Sequence, residues 1–242
     1  MPDMSEPSAF PTEPLNPNPE GWPAGWLAAL RVYLQPASLR MLSLGFSAGL
    51  PLLLVLGTLS FRLREAGIDR STIGHLSWVG LAYGFKWAWA PLVDRMPLPF
   101  LTRWLGRRRS WLLVSQVVIM AALLGMAWCD PSQSLEPIVW CALAVAFASA
   151  TQDIALDAFR IESAGTAQQA ALAASYQTGY RLAMIWAGAG VLWIAARAQG
   201  AETTGYAQAA WQTAYLVMAA SFLPGMLMEI GRASCRERVS SP

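Results

Sequence analysis

The composition of this 242-residue chain excludes most classes of soluble protein. Hydrophobic residues make up 55% of the chain and charged residues only 13%, against ~25% charged residues in soluble domains. The formal net charge of +2 excludes the strongly basic surface of a nucleic-acid-binding protein. The single histidine and the three separated cysteines form neither a metal-binding cluster nor a disulfide framework. The chain is therefore expected to be a membrane protein without a metal or cofactor.

The chain begins with a polar, proline-rich stretch. Residues 1–24 are rich in proline and acidic residues and lack the basic start and apolar core of a signal peptide, so a disordered cytoplasmic tail is expected. Residues 25–36, GWLAALRVYLQP, combine apolar residues with one arginine, and this pattern indicates a short helix lying at the membrane interface.

Six apolar blocks follow, each close to the ~20 residues that a membrane-spanning helix needs. They cover residues 39–61, 73–93, 111–129, 137–159, 170–195 and 209–228. The predicted fold is all-α, a polytopic membrane bundle of six transmembrane helices over residues 39–228.

Arginines in the links between the blocks predict the orientation. The second link carries five arginines, Arg95, Arg103, Arg107, Arg108 and Arg109, whereas the third link carries none. Because short cytoplasmic loops are enriched in basic residues, the second link is expected in the cytoplasm, and so are both ends of the six spans. The first link carries Arg62, Arg64 and Arg70 on the opposite side, against this bias.

The last residues, 229–242, differ from everything before them. They are polar and basic and directly follow the sixth block. The sequence EIGRASCRERV resembles the in-frame translation of a common sequencing adapter, so this segment is expected not to belong to the natural protein. The alternative is a short basic cytoplasmic tail.

Charged residues inside the spans are the main candidates for function. An Asp, Lys or Arg at the centre of a spanning helix costs about 2.5–3.5 kcal/mol and is expected to face a partner or a watery cavity. Lys86 lies ~20 Å along the second span and Asp153 ~24 Å along the fourth, at 1.5 Å per residue. Both spans run inward, so the two side chains could form a buried ion pair. The alternatives are a lysine that extends to the interface and a purely structural pair.

Three further charges accompany that pair. Asp153, Asp157 and Arg160 are spaced i, i+4, i+7 and share one helix face, where Asp157 and Arg160 can pair. Arg160 also falls where the span reaches the cytoplasm, which alone would explain it. Arg181 lies near the middle of the fifth span and needs an acid from another helix or an anionic ligand.

The second link carries a family signature. LVDRMPLPFLTRWLGRRRSWLL resembles, with a longer insertion, the loop between spans 2 and 3 of the major facilitator superfamily. The matching residues are Asp94, Gly106, Arg107, Arg108 and Arg109. In that superfamily this gating loop forms a charge network with the inner end of span 4, and the resemblance implies that Asp157 and Arg160 are the span-4 members here.

Five motifs narrow the resemblance to one family. GFSAGLPLLLVLGTL, YGFKWAWAPLVDR, GRRRSWLL, TQDIALDAFR and SYQTGYRLAM occur in the order found in the AmpG-type muropeptide permeases. The resemblance implies a permease of a Gram-negative inner membrane that imports anhydro-muropeptides with protons for cell-wall recycling. The related acetyl-CoA transporters have similar motifs, so another anionic solute is the alternative cargo.

The resemblance also implies roles for the charged residues. Lys86 and Arg181 would contact cargo carboxylates, and Asp153 and Asp157 would serve proton coupling or gating. A facilitator has two six-span halves with the solute path between them. The first half alone implies a truncated, inactive product whose partners are the bilayer, the solute, protons and the missing carboxy-terminal half.

Two other classes of protein remain as alternatives. A genuine six-span scaffold or dimeric channel would close the spans bearing Lys86 and Arg181 on each other. An intramembrane enzyme is disfavoured, because no nucleophile–base pair or metal cluster occurs at matched depth.

Overall fold

The computed structural model describes residues 33–162, 166–200 and 205–228. The predictions for residues 1–24 and 229–242, and nearly all of that for residues 25–36, lie outside this part. Every regular element within it is helical, which confirms the all-α prediction. The helices are α1 (Pro36–Glu65), α2 (Arg70–Leu76), α3 (Leu81–Gly84), α4 (Ala90–Arg95), α5 (Leu101–Leu105), α6 (Arg107–Trp128), α7 (Glu136–Glu162), α8 (Thr166–Ile185), α9 (Val191–Gln199) and α10 (Gln208–Ala220).

Four segments of the described chain are long and apolar enough to cross a membrane. They are Pro36–Glu65, Arg107–Trp128, Glu136–Ile161 and Gln169–Gln199, and they correspond to the predicted spans 1, 3, 4 and 5. The apolar core lies where α1 meets α6, α7 and α10, with Leu54, Leu123 and Tyr215 among its fully buried side chains.

The second and sixth apolar blocks are not the single helices that their composition predicts. The second block is divided among α2, α3, α4 and two 3-10 turns, and the sixth is broken at residues 221–222 before it becomes helical again over residues 223–228. A proline inside a helix lacks an N–H and clashes with the carbonyl four residues earlier. The carbonyl that Pro91 prevents from accepting a helical hydrogen bond is that of Trp87. For Pro224 it is the carbonyl of Ala220, the last residue of α10.

Helices α1 and α8 pack backbone to backbone because glycines line their contact. A Cβ at Gly45 would lie 2.2 Å from the carbonyl oxygen of Tyr176, and one at Gly49 would lie 2.5 Å from that of Tyr180. A Cβ at Gly179 would lie 2.0 Å from a carbonyl oxygen of α1. Gly45 and Gly49 are four residues apart on one face, the spacing of small residues that lets spanning helices approach closely. The contact therefore fixes the backbone that carries both tyrosines.

A π-helical turn interrupts each of these two spans, and the two turns meet. One turn covers Leu54–Thr58 within α1, and the other covers Trp186–Gly190 between α8 and α9. The Thr58 hydroxyl donates to the Ala187 carbonyl oxygen at 2.7 Å. A π turn shifts the backbone hydrogen-bond pattern, and this side chain satisfies one of the carbonyls involved.

Arg62, which the sequence placed in the outer link between the first two spans, is fully buried inside the bundle. Its guanidinium donates to the carbonyl oxygens of Met126 at 2.7 Å and Cys129 at 2.6 Å, and to the Gln208 side chain at 2.8 Å. It also lies 5.1 Å from the ring centroid of Tyr215. The two carbonyls belong to the C-terminal end of α6, where unpaired carbonyls and the helix dipole favour a cation. Arg62 thus joins the ends of α1, α6 and α10.

We predict that Gly179→Ala lowers the free energy of unfolding by about 1–3 kcal/mol, because the added Cβ forces α1 and α8 apart. Gly74→Ala is the matched control, since a Cβ there meets nothing within 4 Å. Thermal unfolding of the purified protein in detergent measures both. Equal midpoints for the two variants would contradict the backbone contact described here.

Candidate solute and proton site

The irregular course of the second block places Lys86. Lys86 opens the 3-10 turn between α3 and α4. Three residues later, Trp89 donates from Nε1 to Thr151 Oγ1 of α7 at 3.2 Å, and its ring centroid lies 5.2 Å from that of Phe147. These contacts hold the segment against α7. They bring Lys86 to the part of α7 that carries Asp153.

Asp153 and Lys86, predicted from the sequence as a possible buried ion pair, are close enough to interact electrostatically. They do not form the tight ion pair that was expected: in the described chain the ion pairs within 4.0 Å are Arg108–Asp94 and Arg160–Asp157. The Asp153 Oδ1 atom is buried and has no hydrogen-bond partner among the described residues. The carboxylate is therefore held near a cation without being locked to it.

Three tyrosines that the sequence reading missed surround Asp153. Tyr83 comes from α3, and Tyr176 and Tyr180 come from α8; each interacts electrostatically with the Asp153 carboxylate. The ring centroids of Tyr176 and Tyr180 lie 6.0 Å apart. The sequence feature that could have predicted Tyr176 and Tyr180 is their i, i+4 spacing in SYQTGYRLAM, which sets both rings on one helix face.

Several buried polar atoms of α3 and of the α7 segment that carries Asp153 have no hydrogen-bond partner in the described part of the chain. They are the Tyr83 hydroxyl, the Ser149 hydroxyl and both side-chain polar atoms of Gln152. The Tyr83 and Ser149 hydroxyls are near neighbours but do not meet hydrogen-bond geometry. Unpaired buried polar groups are costly and rare, and a site for a polar ligand explains them. We call this group the Asp153 cluster: Tyr83, Lys86, Ser149, Gln152, Asp153, Tyr176 and Tyr180.

Asp157 and Arg160 form the ion pair that their spacing predicted. The Arg160 Nη2 atom lies 3.5 Å from Asp157 Oδ1. The Arg160 guanidinium also lies 5.6 Å from the ring centroid of Tyr176. The Asp157 side chain is half exposed, so solvent screens the pair and its net contribution is small. Arg160 links the Asp153 cluster to the arginine-rich end of the bundle.

The predicted gating loop meets the same end of α7. Arg108 donates to and pairs with Asp94 across the loop. The Arg109 guanidinium lies 5.7 Å from the ring centroid of Phe159 on α7. Gly106 precedes α6 with a φ of +81°, a conformation that favours glycine. Arg107, also matched to the signature, is exposed.

Arg181 lies apart from the other candidates. Its side chain is exposed on α8, and it interacts electrostatically with Tyr180, whose hydroxyl end belongs to the Asp153 cluster. No described acid lies within 4.0 Å of it, so the structure does not supply the partner expected from another helix. Among the described residues, no three His, Cys, Asp or Glu side chains are placed to hold a metal ion.

Comparisons with known proteins identify relatives of this chain. Residues 39–135 match the family model described as Acetyl-coenzyme A transporter 1. The chain is 40% identical over 195 residues to the Anhydromuropeptide permease of Escherichia coli strain K12, covering 81% of this chain and 37% of that protein. It is 37% identical over 179 residues to a Rickettsia felis protein named "Putative transporter AmpG 4", covering 74% of this chain and 41% of that protein.

The chain belongs to the AmpG-type permease family. Its named relatives are a bacterial permease and a putative bacterial transporter. The four long apolar helices of the described chain agree with a multi-pass membrane protein. The chain spans about 37–41% of the length of the relatives named above. All the charged candidates described here lie within residues 39–228, the range of the AmpG-type motifs.

We predict a coupling energy of about 0.5–1 kcal/mol between Asp94 and Arg108, because the pair is only partly buried. A double-mutant cycle with Asp94→Asn and Arg108→Gln measures it as the difference in free energy of unfolding. The matched cycle replaces Arg108→Gln with Arg95→Gln, which removes an exposed neighbouring arginine and should give a coupling near zero. The same coupling energy in both cycles would contradict a specific interaction between Asp94 and Arg108.

Proposed function

We propose that this chain forms the six-span first half of a major-facilitator permease that imports anhydro-muropeptides together with protons. The observation that carries the proposal is the Asp153 carboxylate, which has a buried, unbonded oxygen beside Lys86 within a bundle of the AmpG-type family. In this proposal the blocks interrupted at Pro91 and Pro224 also cross the membrane. The protein then resides in a bacterial inner membrane, with its amino terminus and its gating loop in the cytoplasm.

The chemistry of the cluster suits a cargo of this class. Anhydro-muropeptides present sugar hydroxyls and peptide carboxylates. Lys86 offers an ammonium to a carboxylate, and the Tyr83 hydroxyl and the Gln152 amide offer unpaired hydrogen-bonding groups to hydroxyls and amides. Arg181 extends the cationic surface on the exposed face of α8, where a second half of the permease would form the other wall of the path.

In this proposal, proton coupling arises because the Asp153 carboxylate and a cargo carboxylate compete for Lys86. Without cargo, the Lys86 ammonium lies near the Asp153 carboxyl group in an interaction looser than an ion pair. A cargo carboxylate that binds Lys86 weakens this interaction, and Asp153 then compensates by binding a proton. Cargo and proton thus enter the site together. The Asp157–Arg160 pair and the Asp94–Arg108 pair would open and close the inner end of the path.

A second candidate cargo is acetyl-CoA or a related anionic solute. The match of residues 39–135 to the Acetyl-coenzyme A transporter 1 family favours it. The same cationic site would bind the phosphates of that solute. Competition between labelled muropeptide and unlabelled acetyl-CoA for uptake separates the two cargoes.

We predict that Asp153→Asn and Lys86→Gln each lower proton-driven muropeptide uptake by at least about tenfold, the effect of losing ~1.4 kcal/mol. Uptake is measured in cells that express the complete transporter at equal levels. Glu136→Gln is the matched control, because Glu136 is an exposed acid at the start of α7, at the other end of that helix from the Asp153 cluster. Wild-type uptake by both site variants would remove Asp153 and Lys86 from the mechanism.

A further inference from the structure

A cleft of about 320 Å³ lies between the end of α1 and α2, far from the gating loop. Its lining residues are Gly57, Ser60, Phe61, Arg64, Arg70 and Ile73. Two arginines thus face one small space whose other walls are largely apolar. Both arginine side chains are exposed, and neither makes a hydrogen bond or ion pair with any residue that the structure describes.

The two arginines of the cleft lie at the membrane face where arginines are not expected. Arg62 binds carbonyls at the C-terminal end of α6, so the end of α1 lies beside that end of α6. The arginine-rich segment, Arg107 to Arg109, opens α6 at its other end. The cleft is therefore at the opposite membrane face from the arginine-rich link, where basic residues are disfavoured in short loops. Arg62 is accounted for by its buried contacts, whereas Arg64 and Arg70 need another explanation.

Neither Glu65 nor Asp69, the described acids of the same link, forms an ion pair with Arg64 or Arg70. Glu65 accepts a hydrogen bond from Trp211 Nε1 at 2.8 Å. Asp69 accepts from the Thr72 amide at 3.0 Å, from the Thr72 hydroxyl at 2.7 Å and from the Ser71 hydroxyl. These hydrogen bonds, first that from Ser71, hold the pKa of Asp69 well below its usual range, so its carboxylate stays ionised and engaged at the start of α2.

We infer that this cleft is an anion-binding site, in which the Arg64 and Arg70 guanidinium groups hold a carboxylate or phosphate group. A guanidinium presents a planar fork of donors that fits these anions. The Ser60 hydroxyl donates to the Leu56 carbonyl oxygen at 2.8 Å, so the arginines supply the donors for the ligand. Phe61 and Ile73 form an apolar wall, which suits an anion attached to a carbon-rich body. Two molecules carry this chemistry at that face: an anionic phospholipid and a solute with free carboxylates.

The test uses the complete transporter, purified in a neutral detergent. The unfolding temperature is followed by tryptophan fluorescence as each probe is titrated, which gives an apparent Kd. The lipid probe is dioctanoyl phosphatidylglycerol, with zwitterionic dioctanoyl phosphatidylcholine as its control. The solute probe is an anhydro-muropeptide with free carboxylates, and its control is the same molecule with those carboxylates amidated.

Arg64→Gln combined with Arg70→Gln is expected to weaken binding of one anionic probe by about tenfold or more. Arg197→Gln is the matched control. It removes an arginine at the end of α9, which runs parallel to α1, and that guanidinium lies over the Trp193 ring at 5.1 Å, outside the cleft. Its Kd should stay within about twofold of the wild type. Ile73→Trp fills the cleft without changing charge and should weaken the same probe, which covers the case in which the glutamine pair does not fold.

Each outcome decides the inference. Arginine-dependent binding of phosphatidylglycerol identifies a lipid headgroup as the occupant, and arginine-dependent binding of the muropeptide identifies the solute. Binding of neither anionic probe, or binding that neither the arginine pair nor Ile73→Trp weakens, overturns the site. Muropeptide uptake through the Asp153 cluster would be unaffected by that result, so the two proposals fail separately.

Discussion

The backbone contact between α1 and α8 is the constraint on which the rest of the structure depends. In a bilayer, apolar side chains gain little by leaving lipid for protein, so close packing of small residues takes over much of the role of hydrophobic burial. Gly45, Gly49 and Gly179 allow that packing here. The contact sets the register of α8 against α1, and the register places Tyr176 and Tyr180 beside Asp153. The candidate site is thus assembled by residues that do not themselves belong to it.

Two cationic side chains within the bundle, Arg62 and Lys86, differ in how their charges are paired. Arg62 is fully buried, and its two terminal nitrogens donate short hydrogen bonds to carbonyls at a helix end, so its position is fixed although its Nε atom has no partner among the described residues. Lys86 has only a looser electrostatic interaction with Asp153, next to polar atoms without partners. Arg62 lies at the end of its span and is held by fixed contacts. The charge of Lys86 remains able to exchange partners, which is the property that the proposed mechanism uses.

Local sequence patterns predicted those features that depend on one element. The apolar blocks predicted the four long spans, and the i, i+3 spacing predicted the Asp157–Arg160 pair. Features that depend on several elements were missed, because a pattern in one helix does not show what faces it. The burial of Arg62 needs the end of α6, and the tyrosines join Asp153 only through the α1–α8 contact. Pro91 and Pro224 are visible in the sequence and could have predicted the nearby breaks. The prediction instead followed the apolar composition of those blocks and gave a single helix for each.

Coupling of cargo movement to protons by Asp153 can be separated from cargo binding in reconstituted vesicles. Vesicles with the complete transporter carrying Asp153→Asn are assayed in two modes: exchange of labelled for unlabelled muropeptide, which needs no proton movement, and accumulation driven by a pH gradient. If Asp153 carries the coupled proton, exchange stays close to that of the wild type and gradient-driven accumulation is lost. Accumulation at the wild-type level in the variant would contradict this role of Asp153.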